Sequence, residues 1–259
     1  MTENKDEVEA LLNWKSTFDN HSQSLLSSWH GDNPCRFTGV ACNYYGAIIH
    51  LNLSYVGLRG TLDGLDYSCL TSVVSFELTN NSIYGSIPSS IGNISKLNSL
   101  DLCFNELSGE IPPSIGMLES LHYLYLDANN LSGHIPTSLG KSSNLVELRI
   151  SQNNLSGSIP QQICNLRSLT ILSLWGNRLS GSIPLEITRL TSLHTLYLSS
   201  NNLTGSIPHS IESLSNLSIL YISQNAISGS IPQEICNLRS LTVLSLWGIN
   251  CLDPFLQKS

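Results

Sequence analysis

The chain repeats itself every 24 residues along most of its length, and this period restricts the possible folds more than any other feature. Each unit follows the pattern LxxLxLxxNxLxGxIPxxIGxLxx, in which alternating leucines predict a short strand with one apolar face. A single unit cannot bury that face alone, so successive units must stack into a solenoid. The asparagine after each strand is predicted to bond the backbone of neighbouring turns, because it carries both donors and an acceptor. This column reads Asn81, Asn105, Asn129, Asn153, Asn177, Asn201 and Asn225.

The pattern resembles the leucine-rich repeat, and its Gly-x-Ile-Pro variant is similar to the plant-specific class. The resemblance implies an α/β repeat solenoid, a right-handed superhelix with a parallel β-sheet on its concave face and an N-terminal helical cap. Residues 7–18, EVEALLNWKSTF, carry apolar side chains mostly on one helical face, and residues 34–42 read PCRFTGVAC. Both segments resemble the cap of plant leucine-rich-repeat receptors, whose two cysteines, here Cys35 and Cys42, form a disulfide.

The resemblance is strongest to the ectodomains of plant receptor-like kinases, in particular the group of male-discoverer-interacting receptor kinases. It implies an extracellular or cell-surface, non-enzymatic module that binds a peptide or protein ligand. It also implies a possible leucine-rich-repeat kinase as co-receptor. The implied disulfide requires an oxidising compartment. The opening residues MTENKDEVEA nevertheless lack the apolar run of a signal peptide.

Four regions are expected along the chain. They are a disordered N-terminus at 1–6, the cap at 7–47, the repeat array at 48–248 and an irregular tail at 249–259.

The tail follows an internal duplication. Residues 223–249 copy residues 151–177 with five differences in 27 positions. The last difference is Ile249, which stands where the earlier copy has Asn177, and no LxGxIP segment follows it. We therefore expect a truncated chain with a frayed last coil, whose final strand is left as an open edge.

Composition and motifs exclude several kinds of function. Charged residues are 12% of the chain, the formal net charge is −7, and no cluster of Lys and Arg exists to neutralise phosphates, so nucleic acid is not an expected partner. No run of about 18 apolar residues predicts a membrane span. Nucleotide-binding, metalloprotease and hydrolase motifs are missing, and the histidines are too far apart to share a metal. We expect no enzymatic activity, no cofactor and no metal.

Ligand binding is predicted on the concave face, where the strand positions between the leucines point to solvent. Aromatic residues at such positions are frequent interface hot spots, and a few charged residues accompany them here. The Arg-x-Arg clamp with which some relatives hold a peptide carboxylate is missing, since Ser151 stands two residues after Arg149. The candidate binding residues are Asp101, Tyr123, Tyr125, Asp127, Arg149, Trp175, Tyr197, Tyr221 and Trp247.

Two further sets of residues are of interest. Of the N-x-Ser/Thr sequons, Asn93 and Asn216 lie on the return side of their coils and are the expected glycosylation sites. Five cysteines have no evident partner, and Cys164 and Cys236 are too far apart in the solenoid to pair. These five are Cys69, Cys103, Cys164, Cys236 and Cys251.

Two alternatives to a receptor ectodomain remain open. One is a secreted inhibitor or decoy that resembles the polygalacturonase-inhibiting proteins. The other is a gene fragment without a selected function.

Overall fold

The computed structural model describes residues 3–252, which form a solenoid of stacked coils behind a helical cap. Helix α1 spans Glu3–Ser16, and helix α2 spans Asn20–Leu25. Disorder was expected at residues 1–6. Residues 3–6 belong to α1, and residues 1 and 2 lie outside the described range.

A sheet with one strand per coil runs along the concave side of the solenoid, as the period predicted. Its first two strands are antiparallel, and all later neighbours are parallel. Strands are numbered along the chain across all sheets. This sheet contains β1 Val40–Cys42, β2 Ile48–Asn52, β4 Ser75–Glu77, β6 Ser99–Asp101, β8 Tyr123–Tyr125, β10 Glu147–Arg149, β12 Ile171–Ser173, β14 Thr195–Tyr197, β16 Ile219–Tyr221 and β18 Val243–Ser245. Cap and array share the sheet, so the expected boundary at residue 47 falls inside the β1–β2 hairpin.

Shorter strands and 3-10 helices complete each coil. The second set of strands comprises β3 Arg59–Thr61, β5 Ser82–Ser86, β7 Glu106–Glu110, β9 Asn130–Ser132, β11 Ser156–Gly157, β13 Arg178–Ser182, β15 Asn202–Thr204, β17 Ser228–Ser230 and β19 Asn250–Leu252. The 3-10 helices span Pro34–Arg36, Tyr67–Cys69, Ser89–Asn93, Pro113–Met117, Thr137–Lys141, Gln161–Asn165, Leu185–Arg189, His209–Ser213 and Gln233–Asn237. From Ser89–Asn93 onward, each 3-10 helix follows the Ile-Pro of its repeat, because proline fixes φ and needs no backbone donor partner.

The asparagine column forms the predicted ladder. Asn105 is 9% exposed, and its Oδ1 accepts a bond from Ile83 N at 3.0 Å. Its Nδ2 donates to the carbonyl oxygens of Leu78 at 2.9 Å and Leu102 at 3.2 Å. The same pattern repeats through Asn225. Each asparagine thus satisfies buried backbone groups of its own coil and of the preceding one.

The cap closes the first coil with large aromatic side chains. Trp14 and Trp29 are almost fully buried, and the indole of Trp14 donates to the carbonyl of Thr61 at 2.9 Å. Cys35 and Cys42 form the disulfide that the family resemblance implied, with their Cα atoms 5.5 Å apart.

Fraying was expected in the last coil, and the structure describes a short strand, Asn250–Leu252, at the start of the tail. Strand β19 pairs in parallel with β17, and Asn250 N donates to the carbonyl of Ile227 at 2.8 Å. Parallel pairing needs only backbone groups, so it continues after the repeat pattern has ended. Residues 253–259 lie outside the described range. Strand β18 has one neighbour among the described residues, β16.

Candidate ligand-binding groove

The concave face holds a groove with a volume of about 580 Å³, which extends from Phe104, in the turn after β6, to Ser245 at the end of β18. Five of the nine predicted binding residues line it: Asp127, Arg149, Trp175, Tyr197 and Tyr221.

The other four candidates lie outside the groove. Asp101, Tyr123 and Tyr125 occupy the coils at its N-terminal end. Trp247 follows β18 at the other end and is 72% exposed.

Arg149 is held by its own neighbours. Its Nη2 atom lies 2.7 Å from Glu147 Oε2, and its guanidinium carbon lies 5.1 Å from the centre of the Tyr125 ring. The Tyr125 hydroxyl donates to the same Glu147 oxygen at 2.9 Å. Burial, followed by this bond, raises the pKa of Tyr125. The buried Nε of Arg149 has no hydrogen-bond partner, so the side chain retains an unused donor.

The Asp127 carboxylate is fixed between two coils. Its Oδ1 accepts a bond from Ser151 N at 2.5 Å. Desolvation raises the pKa of Asp127 despite that bond and the nearby Arg149. Cys103 is buried beside it, and burial raises the pKa of the Cys103 thiol as well.

The middle of the groove is neutral and aromatic. The rings of Tyr197 and Tyr221 stack with their centroids 5.2 Å apart. Beside them the hydroxyl oxygens of Ser199 and Ser223 lie 2.8 Å apart in a hydrogen bond. Both serines are buried, although we expected their column to face solvent. Short side chains between tall aromatic neighbours form the floor of the groove.

The predicted aromatic track is therefore interrupted. Tyr123 and Tyr125 form one pair, with centroids 6.1 Å apart, and Tyr197 and Tyr221 form another. Trp175 lies between the two pairs and is 41% exposed.

Sequence reasoning missed one wall of the groove. Phe104, Gln152 and Gln224 line it from the position that precedes each ladder asparagine. Their φ angles are +54°, +52° and +53°, a conformation that glycine and asparagine adopt more readily. Phe104 is 54% exposed. An aromatic residue at a turn position that the other units from Asn80 onward fill with small or amide side chains was the signal for this wall.

The predicted glycosylation sites remain predictions. Asn93 and Asn216 are both exposed, and the Asn216 amide donates to the carbonyl of Thr191 at 2.8 Å. Within residues 3–252, no helix has the length and hydropathy needed to cross a bilayer.

Comparison with known families supports the repeat assignment. Residues 4–43 match the leucine rich repeat N-terminal domain, and residues 151–258 match a leucine-rich repeat region. Residues 96–118 and 119–179 match leucine rich repeat models.

Several similar proteins are plant receptor kinases, and one solved structure of similar fold is a plant ice-binding protein, 26% identical with a TM-score of 0.71 over 96% of this chain and 87% of that one. MDIS1-interacting receptor like kinase 2 of Arabidopsis thaliana is 44% identical over 97 residues, which are 36% of this chain and 9% of that protein. The solved structure of PEPR1 with AtPEP1 is 29% identical, with a TM-score of 0.83, over 95% of this chain and 42% of that one.

The ectodomain of GASSHO1/SCHENGEN3 from Arabidopsis thaliana, solved with CASPARIAN STRIP INTEGRITY FACTOR 2, is 32% identical. Its TM-score is 0.83, over 95% of this chain and 33% of that one. Repeats and cap agree, and the chain belongs to the leucine-rich-repeat proteins. It is similar to ectodomains of plant receptor kinases and spans less than half the length of each of these relatives.

Proposed function

We propose that this chain is the ligand-recognition part of a plant cell-surface receptor and that its concave groove binds an extended peptide. The observation that carries this proposal is the groove of about 580 Å³, with its stacked tyrosines and exposed Trp175. Aromatic side chains supply large, rigid contact areas at small entropic cost, which suits them to binding.

The relatives agree with this proposal, since two solved ectodomains of similar fold are complexes with AtPEP1 and with CASPARIAN STRIP INTEGRITY FACTOR 2. The Cys35–Cys42 disulfide is consistent with an extracellular location. A leucine-rich-repeat kinase co-receptor would complete the complex.

The nine candidate residues contribute differently in this proposal. Tyr197, Tyr221 and Trp175 contact the peptide, and Asp127 and Arg149 border one end. The Arg149 side chain is 42% exposed and donates to the peptide as a hydrogen-bonding group, because Glu147 already neutralises its charge. Asp101, Tyr123, Tyr125 and Trp247 contact the parts of a longer ligand that extend beyond the groove.

The test is selection of a phage-displayed library of random 12-residue peptides on the whole chain, followed by affinity measurement of the enriched peptides. Replacing Tyr197 and Tyr221 together by alanine should weaken binding by about 10-fold or more, as expected for hot-spot aromatics. The matched control replaces Tyr44 and Tyr45, an exposed tyrosine pair of the cap that lies outside the groove. Absence of enriched peptides, or equal binding by both double variants, would contradict the proposal.

A further inference from the structure

The two halves of the concave face differ in charge. In the N-terminal half, from β4 to β10, four carboxylates are accompanied by a single guanidinium, that of Arg149. These carboxylates belong to Glu77, Asp101, Asp127 and Glu147. The C-terminal half extends from β12 to Trp247. It has no charged side chain at the outward strand positions or at the position two residues after each strand.

Two tryptophans bound the neutral half. Trp175 and Trp247 occupy equivalent positions three coils apart, because of the internal duplication. At the usual spacing between strands, this is a separation of about 14 Å. Ser199 and Ser223 form the floor between them. We call this region, with the Tyr197–Tyr221 stack as its side, the tryptophan trough.

The trough suits a neutral segment of extended chain. An extended peptide rises about 3.3 Å per residue, so about four residues cover 14 Å. A charged side chain placed there would lose water without meeting an opposite charge. The hydroxyl groups of the floor already bond each other, which leaves the aromatic faces as the main contact surface.

The N-terminal half of the concave face favours a cationic part of the ligand. Glu147 is neutralised by Arg149. Asp101, Asp127 and Glu77 form no salt bridge among the described residues, although Arg149 lies near Asp127. A row of carboxylates along a concave surface focuses a negative potential and favours a cationic ligand group.

We infer that the face binds a peptide whose basic and neutral segments follow a fixed order along the groove. A neutral segment of about four apolar or hydroxylated residues fills the tryptophan trough, and lysine or arginine side chains lie over the carboxylates of the N-terminal half. This inference rests on the proposed function and adds the chemistry and order of the peptide.

The test compares the 12-residue peptides enriched on three forms of the whole chain. One variant carries Glu77→Gln, Asp101→Asn and Asp127→Asn, whose amide oxygens can still accept the bonds from Cys103 N and Ser151 N. The control carries Glu106→Gln, Glu110→Gln and Glu119→Gln, which remove the same charge from exposed positions outside the groove.

Peptides enriched on the unaltered chain should carry basic residues toward one end and none in the neutral segment. The Glu77, Asp101 and Asp127 variant should bind them about 10-fold more weakly, and the control should bind them within about two-fold. A quencher attached to the neutral end should reduce tryptophan emission more than one attached to the basic end.

The outcomes separate the two proposals. Enriched peptides without a charge order, or with equal affinity for both triple variants, contradict the proposed order of basic and neutral segments. Peptide binding itself would still stand. Failure to enrich any peptide contradicts the proposed function itself. Binding of a neutral oligosaccharide to the trough, without peptide binding, also overturns the inference.

Discussion

The two copies of the duplicated segment, residues 151–177 and 223–249, have nearly the same sequence and different surroundings. Leu172 is fully buried, whereas its counterpart Leu244 is 39% exposed. Trp175 is 41% exposed, and its counterpart Trp247 is 72% exposed. Strand β12 has neighbours on both sides, but β18 pairs with β16 alone among the described residues. Burial of a repeat residue therefore depends on the next coil more than on its own unit.

The largest expected effect concerns the strand leucines. Leu172→Ala should lower the free energy of unfolding by about 2–5 kcal/mol, because it leaves a cavity between two coils. Leu244→Ala should cost about 1 kcal/mol, because less apolar area is buried at that position. Guanidinium denaturation followed by circular dichroism measures both. Equal losses would show that the two copies are packed alike.

The second-largest expected difference between the two copies is in the reactivity of their thiols. Cys164 is fully buried and burial raises its pKa to about 11, whereas Cys236 is exposed. The thiolate is the reactive form of cysteine. Cys164 should therefore react with N-ethylmaleimide at pH 8 at a rate at least about 100-fold lower than that of Cys236.

Mass spectrometry distinguishes the two cysteines, since their flanking sequences differ. Labelling in denaturant is the control and should bring the two rates together. Similar rates in the folded chain would contradict the difference in burial.

The ladder position gives a third comparison. Asn177 accepts from Leu155 N at 3.1 Å and donates to Ile150 O at 3.0 Å. Asn177→Ile should therefore cost about 1–3 kcal/mol by leaving buried backbone groups unpaired. The reverse change, Ile249→Asn, should alter stability by less than about 1 kcal/mol, since the lost apolar contact is offset by new backbone bonds. Thermal unfolding of both variants tests this, and an equal cost would show that Ile249 is packed as tightly as a core residue.

The smallest expected effect is optical. Trp14 and Trp29 are buried in the cap, so iodide should quench mainly the emission of the two concave tryptophans. Trp247→Phe should remove a larger quenchable fraction than Trp175→Phe, in keeping with the difference in exposure. A larger fraction lost with Trp175→Phe would reverse the order of exposure.

Features that depend on local pattern were predictable. The period placed the strands, the leucine core and the asparagine ladder, because each repeats a contact between one coil and the next. The cap disulfide followed from family resemblance. The pairing of β19 with β17 could not be predicted from the sequence, because parallel pairing uses backbone groups and requires no particular side-chain pattern.

The groove was only partly predictable. The strand columns pointed to Trp175, Tyr197 and Tyr221, all of which line it. The columns did not show that Ser199 and Ser223 are buried, because their burial depends on the size of the side chains in adjacent coils. They also missed Phe104, which reaches the groove from a turn with positive φ.

The 24-residue period alone was enough to establish a solenoid, its core positions and the face on which binding should be sought. Only the folded chain shows which equivalent residues are buried. It also shows which carboxylate neutralises Arg149 and where the groove ends. The physical reason is that a coil's own residues define its fold, whereas its surface is completed by neighbours whose side chains differ from unit to unit.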